Sequence, residues 1–174
     1  MLEIKNLTVK VKNNAPILTD VSLSIDEGTC IGLTGASGSG KTTLIKSIMG
    51  MNGGDLEIPQ GQILLDGDNL LTHSAKERRM LCGKTIGFIP QNPMTAFFPH
   101  AKMERQIIET LRMHTGLDKK QAHALAENVL RKVNLTDTKR VLSAYPGELS
   151  GGMLQRIAMA LILGTKPKYV LADE

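Results

Sequence analysis

The octapeptide Gly35-Ala36-Ser37-Gly38-Ser39-Gly40-Lys41-Thr42 limits what this chain can fold into more than any other stretch. It meets the pattern G-x-x-x-x-G-K-[ST] in full. Before it runs Cys30-Ile31-Gly32-Leu33, which with its neighbours predicts a buried strand over 29–34. After it come Leu44, Ile45, Ile48 and Met49 at helical spacing, which predict a helix over 42–50 capped by Gly50. A flexible Gly/Ser turn would explain the letters but not this strand–loop–helix setting. Glycines at 35, 38 and 40 let several backbone N–H groups turn into one concavity, an anion nest, and the helix start adds its positive dipole end. The residues expected around a phosphate chain are Gly35, Ser37, Gly38, Ser39, Gly40, Lys41, Thr42 and Thr43. Lys41 would reach the terminal phosphates, and the Thr42 hydroxyl would ligate Mg²⁺.

The rest of the chain predicts one α/β domain around that loop. Leu2 to Val11 alternates with one shift of phase at Lys5-Asn6, a strand with a bulge. Residues 17–25 alternate again. Residues 52–61, rich in Gly and Pro, read as a loop, 62–65 as a short strand, and 74–81 as a helix opened by the capping box Ser74/Glu77. A strand over 84–89 leads into a loop held extended by Pro90, Pro93 and Pro99. Helices are expected at 102–115, 118–133, 136–142 and 150–163, and a last strand at 168–172. The 174 residues thus form a single domain, with a β subdomain and core at about 1–89 and 149–174 and a helical insertion at about 90–148.

Three further stretches carry chemistry. Tyr169-Val170-Leu171-Ala172-Asp173-Glu174 is a strand ending in two carboxylates, and ligands in open α/β sheets bind at that edge. Asp173 would hold Mg²⁺, and Glu174 would polarise a water for attack on a γ-phosphate. Leu149-Ser150-Gly151-Gly152-Met153-Leu154-Gln155-Arg156 opens a helix whose first turn is bare of side chains, a second place for an anion. Gln91, just past the strand ending at Ile89-Pro90, places an amide where it can touch a metal or its water.

These stretches in this order resemble the nucleotide-binding subunit of an ABC transporter. GASGSGKT is similar to the Walker A loop, LSGGMLQR to the ABC signature, YVLADE to the Walker B strand, and Gln91 to the Q-loop glutamine. Ile89-Pro90-Gln91-Asn92-Pro93-Met94-Thr95-Ala96-Phe97 and Tyr145-Pro146-Gly147-Glu148-Leu149 further resemble the peptide/nickel importer subfamily, nickel and metallophore importers above all.

The resemblance implies an ABC-type P-loop NTPase core with an N-terminal antiparallel β subdomain. It implies ATP and Mg²⁺ as cofactors. The catalytic residues would be Glu174, Gln91 and Lys41, the metal ligands Thr42, Gln91 and Asp173, and Ser150, Gly151 and Gly152 would close on ATP held by a partner. It implies a second ATPase subunit in a head-to-tail heterodimer, two permeases, a substrate-binding protein and a peripheral place on the cytoplasmic membrane face. Other readings within the family are a non-transport ATPase and a fragment that only holds nucleotide.

The chain departs from the family pattern in two places. No aromatic residue stands near Val9-Lys10-Val11-Lys12 to stack on adenine. The last residue is Glu174, and the family continues with a helix, core strands and a switch histidine, so the core is expected to be incomplete at its C-terminus. His73, His100, His114 and His123 lie in polar or helical segments and read as surface or packing residues. The net charge of +4 gives no basic stripe with aromatics, which argues against nucleic acid. Cys30 and Cys82 match no metal or disulfide spacing, and Cys30 reads as a small buried hydrophobe. No signal-peptide pattern and no apolar run near the ~20 residues of a bilayer span occurs.

Overall fold

A computed structural model describes every residue of the chain except Gly54 and Glu174. Its internal contacts divide it into two compact units, Met1–Met80 and Leu81–Glu174.

The first unit is built on a four-stranded antiparallel sheet in the order β2-β1-β3-β4. Strand β1 spans Leu2–Val11, β2 Pro16–Ile25, β3 Leu56–Leu65 and β4 Asp68–Asn69. Central β1 buries Leu2, Ile4, Leu7 and Val9, the alternating set expected of a strand with one covered face. Each such side chain contributes on the order of 1.5–3 kcal/mol of burial free energy. The phase shift at Lys5-Asn6 is a bulge, since pairing to β2 slips between Ile4 and Leu7. Asn6 there takes φ 48° and donates its amide to Asp20, a β2 residue at φ 54°.

Strand β3 is longer than the sequence predicts. The expected loop over 52–61 is strand from Leu56 onward. Pro59 and Gly61 usually break a ladder, but a bulged strand tolerates them where pairing is irregular. The β1–β3 register is irregular there, and it is held on the far side by Val11 opposite Leu56 and by a Lys10–Glu57 ion pair at 3.3 Å.

Helix α1, Lys41–Met49, buries Leu44, Ile45, Ile48 and Met49. Helix α2, Ala75–Leu81, opens with the expected capping box: Ser74 N–H donates to Glu77 at 2.7 Å, and Glu77 N–H donates to Ser74 Oγ at 3.3 Å.

The buried strand expected over 29–34 does not form. These residues are exposed and lie outside both sheets. Cys30 is exposed with them, contrary to the expectation of a buried thiol. An extended apolar segment becomes a strand only when a neighbour accepts from its N–H groups and donates to its C=O groups, and none of the described strands pairs with it.

The second unit joins a two-stranded parallel sheet, β5 (Ile86–Ile89) and β6 (Tyr169–Ala172), to four helices. These are α3 (Met103–Thr115), α4 (Lys119–Lys132), α5 (Thr138–Ser143) and α6 (Gly151–Thr165). Their apolar stripes meet in one core around Met103, Ile107, Leu111, Leu130, Leu154 and Ile157, all almost fully buried. Strand β6 is covered on one face only: Tyr169 and Leu171 are buried, while Val170 is 48% exposed. Among the described residues no helix is long and apolar enough to cross a membrane.

Candidate functional site

The glycine loop lies in the first unit, and its conformation follows from its glycines. Gly40 sits just before α1 at φ 94°, in the left-handed region. A Cβ there would stand 2.6 Å from Leu18 Cδ2, so only glycine at position 40 lets the loop lie on β2. Gly38 also has positive φ, 78°, but faces open space. The turn is closed by Ser39 N–H donating to Ala36 O at 3.2 Å, and Leu44 N–H donates to Gly40 O at 2.9 Å to start the helix. Residues 35–39 are exposed, so the loop presents its concavity to solvent.

Lys41 fills that concavity itself. Its ammonium donates to Gly35 O at 2.8 Å and to Ala36 O at 2.9 Å. A cation is therefore already held where phosphate oxygens would arrive, by exposed bonds to neutral carbonyls that an anionic partner can replace. Thr42 and Thr43, in the first helical turn, are half-buried. At the other end, Gly50 closes α1 by donating to Lys46 O and Ser47 O. The Arg78 side chain packs there, its Cδ 3.0 Å from where a Gly50 Cβ would be. A guanidinium at the carbonyl end of a helix complements its dipole. Sequence reasoning missed both Arg78 and Leu18, because their roles arise from contacts distant in the chain.

The second unit carries the other candidate residues at two places. At the first, β5 and β6 run parallel with Ile89 opposite Ala172, and Asp173 N–H donates to Ile89 O at 3.0 Å. This brings Asp173 to the C-terminal end of the strand pair, and Gln91 follows two residues after the end of β5. Asp173 is buried, 8% exposed, and Gln91 is exposed. A buried carboxylate and an exposed amide oxygen at one sheet edge are hard oxygen donors of the kind Mg²⁺ takes. Thr42, the third predicted ligand, belongs to the other unit. Glu174 lies outside the described residues.

The second place is the start of α6. Ser150 is its N-cap and accepts from Met153 N–H at 3.3 Å. Leu149 just before it is buried and fixes the entry. Gly151 and Gly152 are exposed, and a Cβ on either would find nothing within 4 Å. The first turn holds no acidic residue. The helix thus offers its leading amides and positive dipole end to solvent, unobstructed. Arg156 braces this end by donating to Gly152 O and Asn134 O, each at 3.3 Å.

A family model for ABC transporters matches residues 18–174. The chain belongs to the ABC transporter family. Over its whole length it is 37% identical to the metal-staphylopine import system ATP-binding protein CntD of Staphylococcus aureus (strain Mu50) and spans 64% of that protein. It is 35% identical to the dipeptide transport ATP-binding protein DppD of Lactococcus lactis subsp. cremoris, of which it spans 51%. It is 33% identical to the oligopeptide transport ATP-binding protein OppD of Haemophilus influenzae, of which it spans 54%.

Among solved structures, the whole chain superposes on the ATP-binding cassette MJ0796, in a dimeric post-hydrolysis state bound to ADP and Pi. The TM-score is 0.85 with 26% identity, and the match covers 74% of that cassette. The fold is therefore that of an ABC ATPase cassette, with an antiparallel β subdomain joined to an α/β and helical part.

Proposed function

We propose that this chain is the ATP-binding and hydrolysing subunit of an importer, driving uptake of peptide, nickel or a metal chelate through partner permeases. The observation that carries this is the solvent-facing glycine loop, with Lys41 poised in its concavity, on a chain that also offers the bare helix start of Ser150-Gly151-Gly152. One anion site suits a nucleotide-binding protein. A second, made of amides alone, suits a nucleotide shared between two subunits.

In this reading Gly35 to Thr43 cradle the phosphates of ATP, with Lys41 leaving its two carbonyls for the terminal phosphate oxygens. Ser150, Gly151 and Gly152 close on ATP held by the second ATPase subunit, in a head-to-tail dimer of two different polypeptides. Thr42, Gln91 and Asp173 would hold Mg²⁺, which when bound offsets phosphate charge. Glu174 is assigned to the attacking water on sequence alone. Two permeases and a substrate-binding protein complete the system, and the chain sits peripherally at the cytoplasmic face of the membrane. The chain is one ATP-binding domain, within which the helical part after Gln91 passes the motion of closure to the permeases.

The relatives support the cargo class: those named above serve metal-staphylopine, dipeptide and oligopeptide transport. A second reading is favoured by the exposed segment at 29–34, which leads into the glycine loop without a strand to brace it. On that reading the chain alone holds nucleotide but turns it over slowly.

A thermal melt with and without Mg-ATP tests the site. At about 100 times its Kd a ligand adds about 2.7 kcal/mol, several degrees in a domain of this size. A rise of that order supports the phosphate site, and no rise refutes it. A turnover assay on the same sample then separates the two readings.

A further inference from the structure

Eight asparagines occur in the chain, and one of them, Asn52, is followed by glycine. The residue after an asparagine decides whether its backbone nitrogen can reach the side-chain amide, and glycine, with no Cβ, obstructs that approach least. Gly53 is exposed at φ 59°, and a Cβ on it would meet nothing within 4 Å. The amide of Asn52 is poorly anchored as well, since its Oδ1 has no hydrogen-bond partner among the described residues. Several other asparagines are held or blocked. Asn6 donates its amide to Asp20 at 2.8 Å, and Asn69 Oδ1 accepts from Leu71 N–H at 3.2 Å. Asn92 precedes Pro93, which has no N–H to react. Asn128 lies inside α4, before the β-branched Val129.

The surroundings give the fate of this amide a consequence. Asn52 stands two residues past Gly50, which closes α1. Arg78 packs against Gly50, its Nε 3.1 Å from where a Gly50 Cβ would be. Arg78 Nε is buried and, like Asn52 Oδ1, has no hydrogen-bond partner among the described residues. A buried guanidinium N–H without an acceptor is costly to the fold. The neutral amide oxygen does not draw the guanidinium to itself. A carboxylate at position 52 would, because a charge-assisted hydrogen bond is shorter and about twice as strong as a neutral one.

We infer that Asn52-Gly53 is a site of spontaneous deamidation, and that Arg78 receives the carboxylate formed. The Gly53 backbone nitrogen, having given its proton to hydroxide, attacks Asn52 Cγ. The bond from Cγ to the side-chain nitrogen breaks, ammonia leaves with the returned proton, and a succinimide joins the two residues. Water then adds to one carbonyl of the ring, and the ring opens at that C–N bond. Attack at the side-chain carbonyl gives aspartate. Attack at the backbone carbonyl gives isoaspartate, in which the main chain runs through the side-chain carbons. Nothing is oxidised or reduced, and water is the only co-reactant. The net change is a neutral amide exchanged for a carboxylate at the C-terminal end of α1, the helix whose start carries the glycine loop. The inference does not depend on what that loop binds.

The experiment incubates the whole chain in mildly alkaline buffer and maps its peptides by mass. The peptide containing Asn52 gains the mass of an amide-to-acid change ahead of every other asparagine. It does so as two chromatographically distinct products, and faster as hydroxide rises. Gly53→Ala slows the change several-fold, and Asn52→Gln removes it. A short synthetic peptide of the same sequence serves as the unfolded reference. A cycle of thermal melts tests where the charge goes. Asn52→Asp should raise the melting temperature of the parent by about one to two degrees more than it raises that of Arg78→Gln protein. Conversion at another asparagine first, or an Asn52 that stays intact in the folded chain while the reference peptide converts, overturns the site. An equal effect of Asn52→Asp in both backgrounds overturns the pairing with Arg78.

Discussion

Lys41 donates its ammonium to Gly35 O at 2.8 Å, across the concavity that the two residues frame. With the matching bond to Ala36 O at 2.9 Å, the side chain occupies the place proposed for phosphate. Both bonds are exposed, so each is worth about 1 kcal/mol or less to the fold. Lys41→Ala should leave the ligand-free melting temperature within a few degrees of the parent. The same variant should lose most of the Mg-ATP-induced rise. An unchanged rise would move the phosphate site elsewhere.

Gly40 and Gly38 separate two costs that glycine loops usually combine. Both have positive φ, but only Gly40 lies against a neighbour, since a Cβ added to it would stand 2.6 Å from Leu18 Cδ2. Gly38→Ala should cost about 1–2 kcal/mol of left-handed strain. Gly40→Ala adds overpacking, for a total of about 2–4 kcal/mol. Urea unfolding midpoints measure the difference, and equal losses would show that β2 does not hold the loop in solution.

The bare start of α6 allows fold and function to be pulled apart. Since a Cβ at Gly152 meets nothing within 4 Å, Gly152→Asp fits sterically, and an acidic residue in a first helical turn suits the dipole. The variant should melt within about 0.5 kcal/mol of the parent. On the proposed reading it should nonetheless lose ATP-dependent association, because the carboxylate would repel a γ-phosphate held by a second subunit. Sedimentation with Mg-ATP reads this directly. Association that survives Gly152→Asp would remove the helix start from the nucleotide.

His114 lies on Gly83, where a Cβ would stand 2.5 Å from its Cε1 and Nε2. Burial pushes the imidazole pKa below its usual 6.5. The folded state therefore binds fewer protons than the unfolded chain as pH falls through that value. Stability at this residue is full above the unfolded pKa and falls as pH drops beneath it. Unfolding midpoints measured from about pH 7.5 to about pH 5 should show that decline, and His114→Phe should flatten it. A parallel decline in the variant would assign the pH dependence to other groups.

Helices and turns were legible in the sequence because their signals are local. The capping box Ser74/Glu77, the closing glycine Gly50 and the bulge at Asn6 all depend on residues within a few positions. Strand limits were less legible, since a strand needs a partner that local pattern does not reveal. Residues 56–61 became strand against Pro59 and Gly61 because β1 was there to pair with them. In the candidate site, the glycine loop, Gln91, Asp173 and the signature helix start could be named from sequence. The restraints around them could not: Leu18 beneath Gly40 and Arg78 at Gly50 are contacts between elements.

Cys30 turns the unformed strand into a measurement. The segment Cys30-Ile31-Gly32-Leu33 is apolar enough to be core, yet it is exposed, with Ile31 46% and Leu33 43% accessible. Cys82 is half-buried, so the two thiols differ in access. A water-soluble maleimide should label Cys30 at the rate of an open thiol and Cys82 several-fold more slowly, since the reagent must reach the sulfur. Single Cys→Ser variants assign the two phases. Mg-ATP bound to the adjacent loop should slow Cys30 if the ligand orders the residues leading into it. Slow labelling of Cys30 without nucleotide would mean that the segment finds a pairing partner in solution, and the glycine loop would then be braced from behind as in a closed sheet.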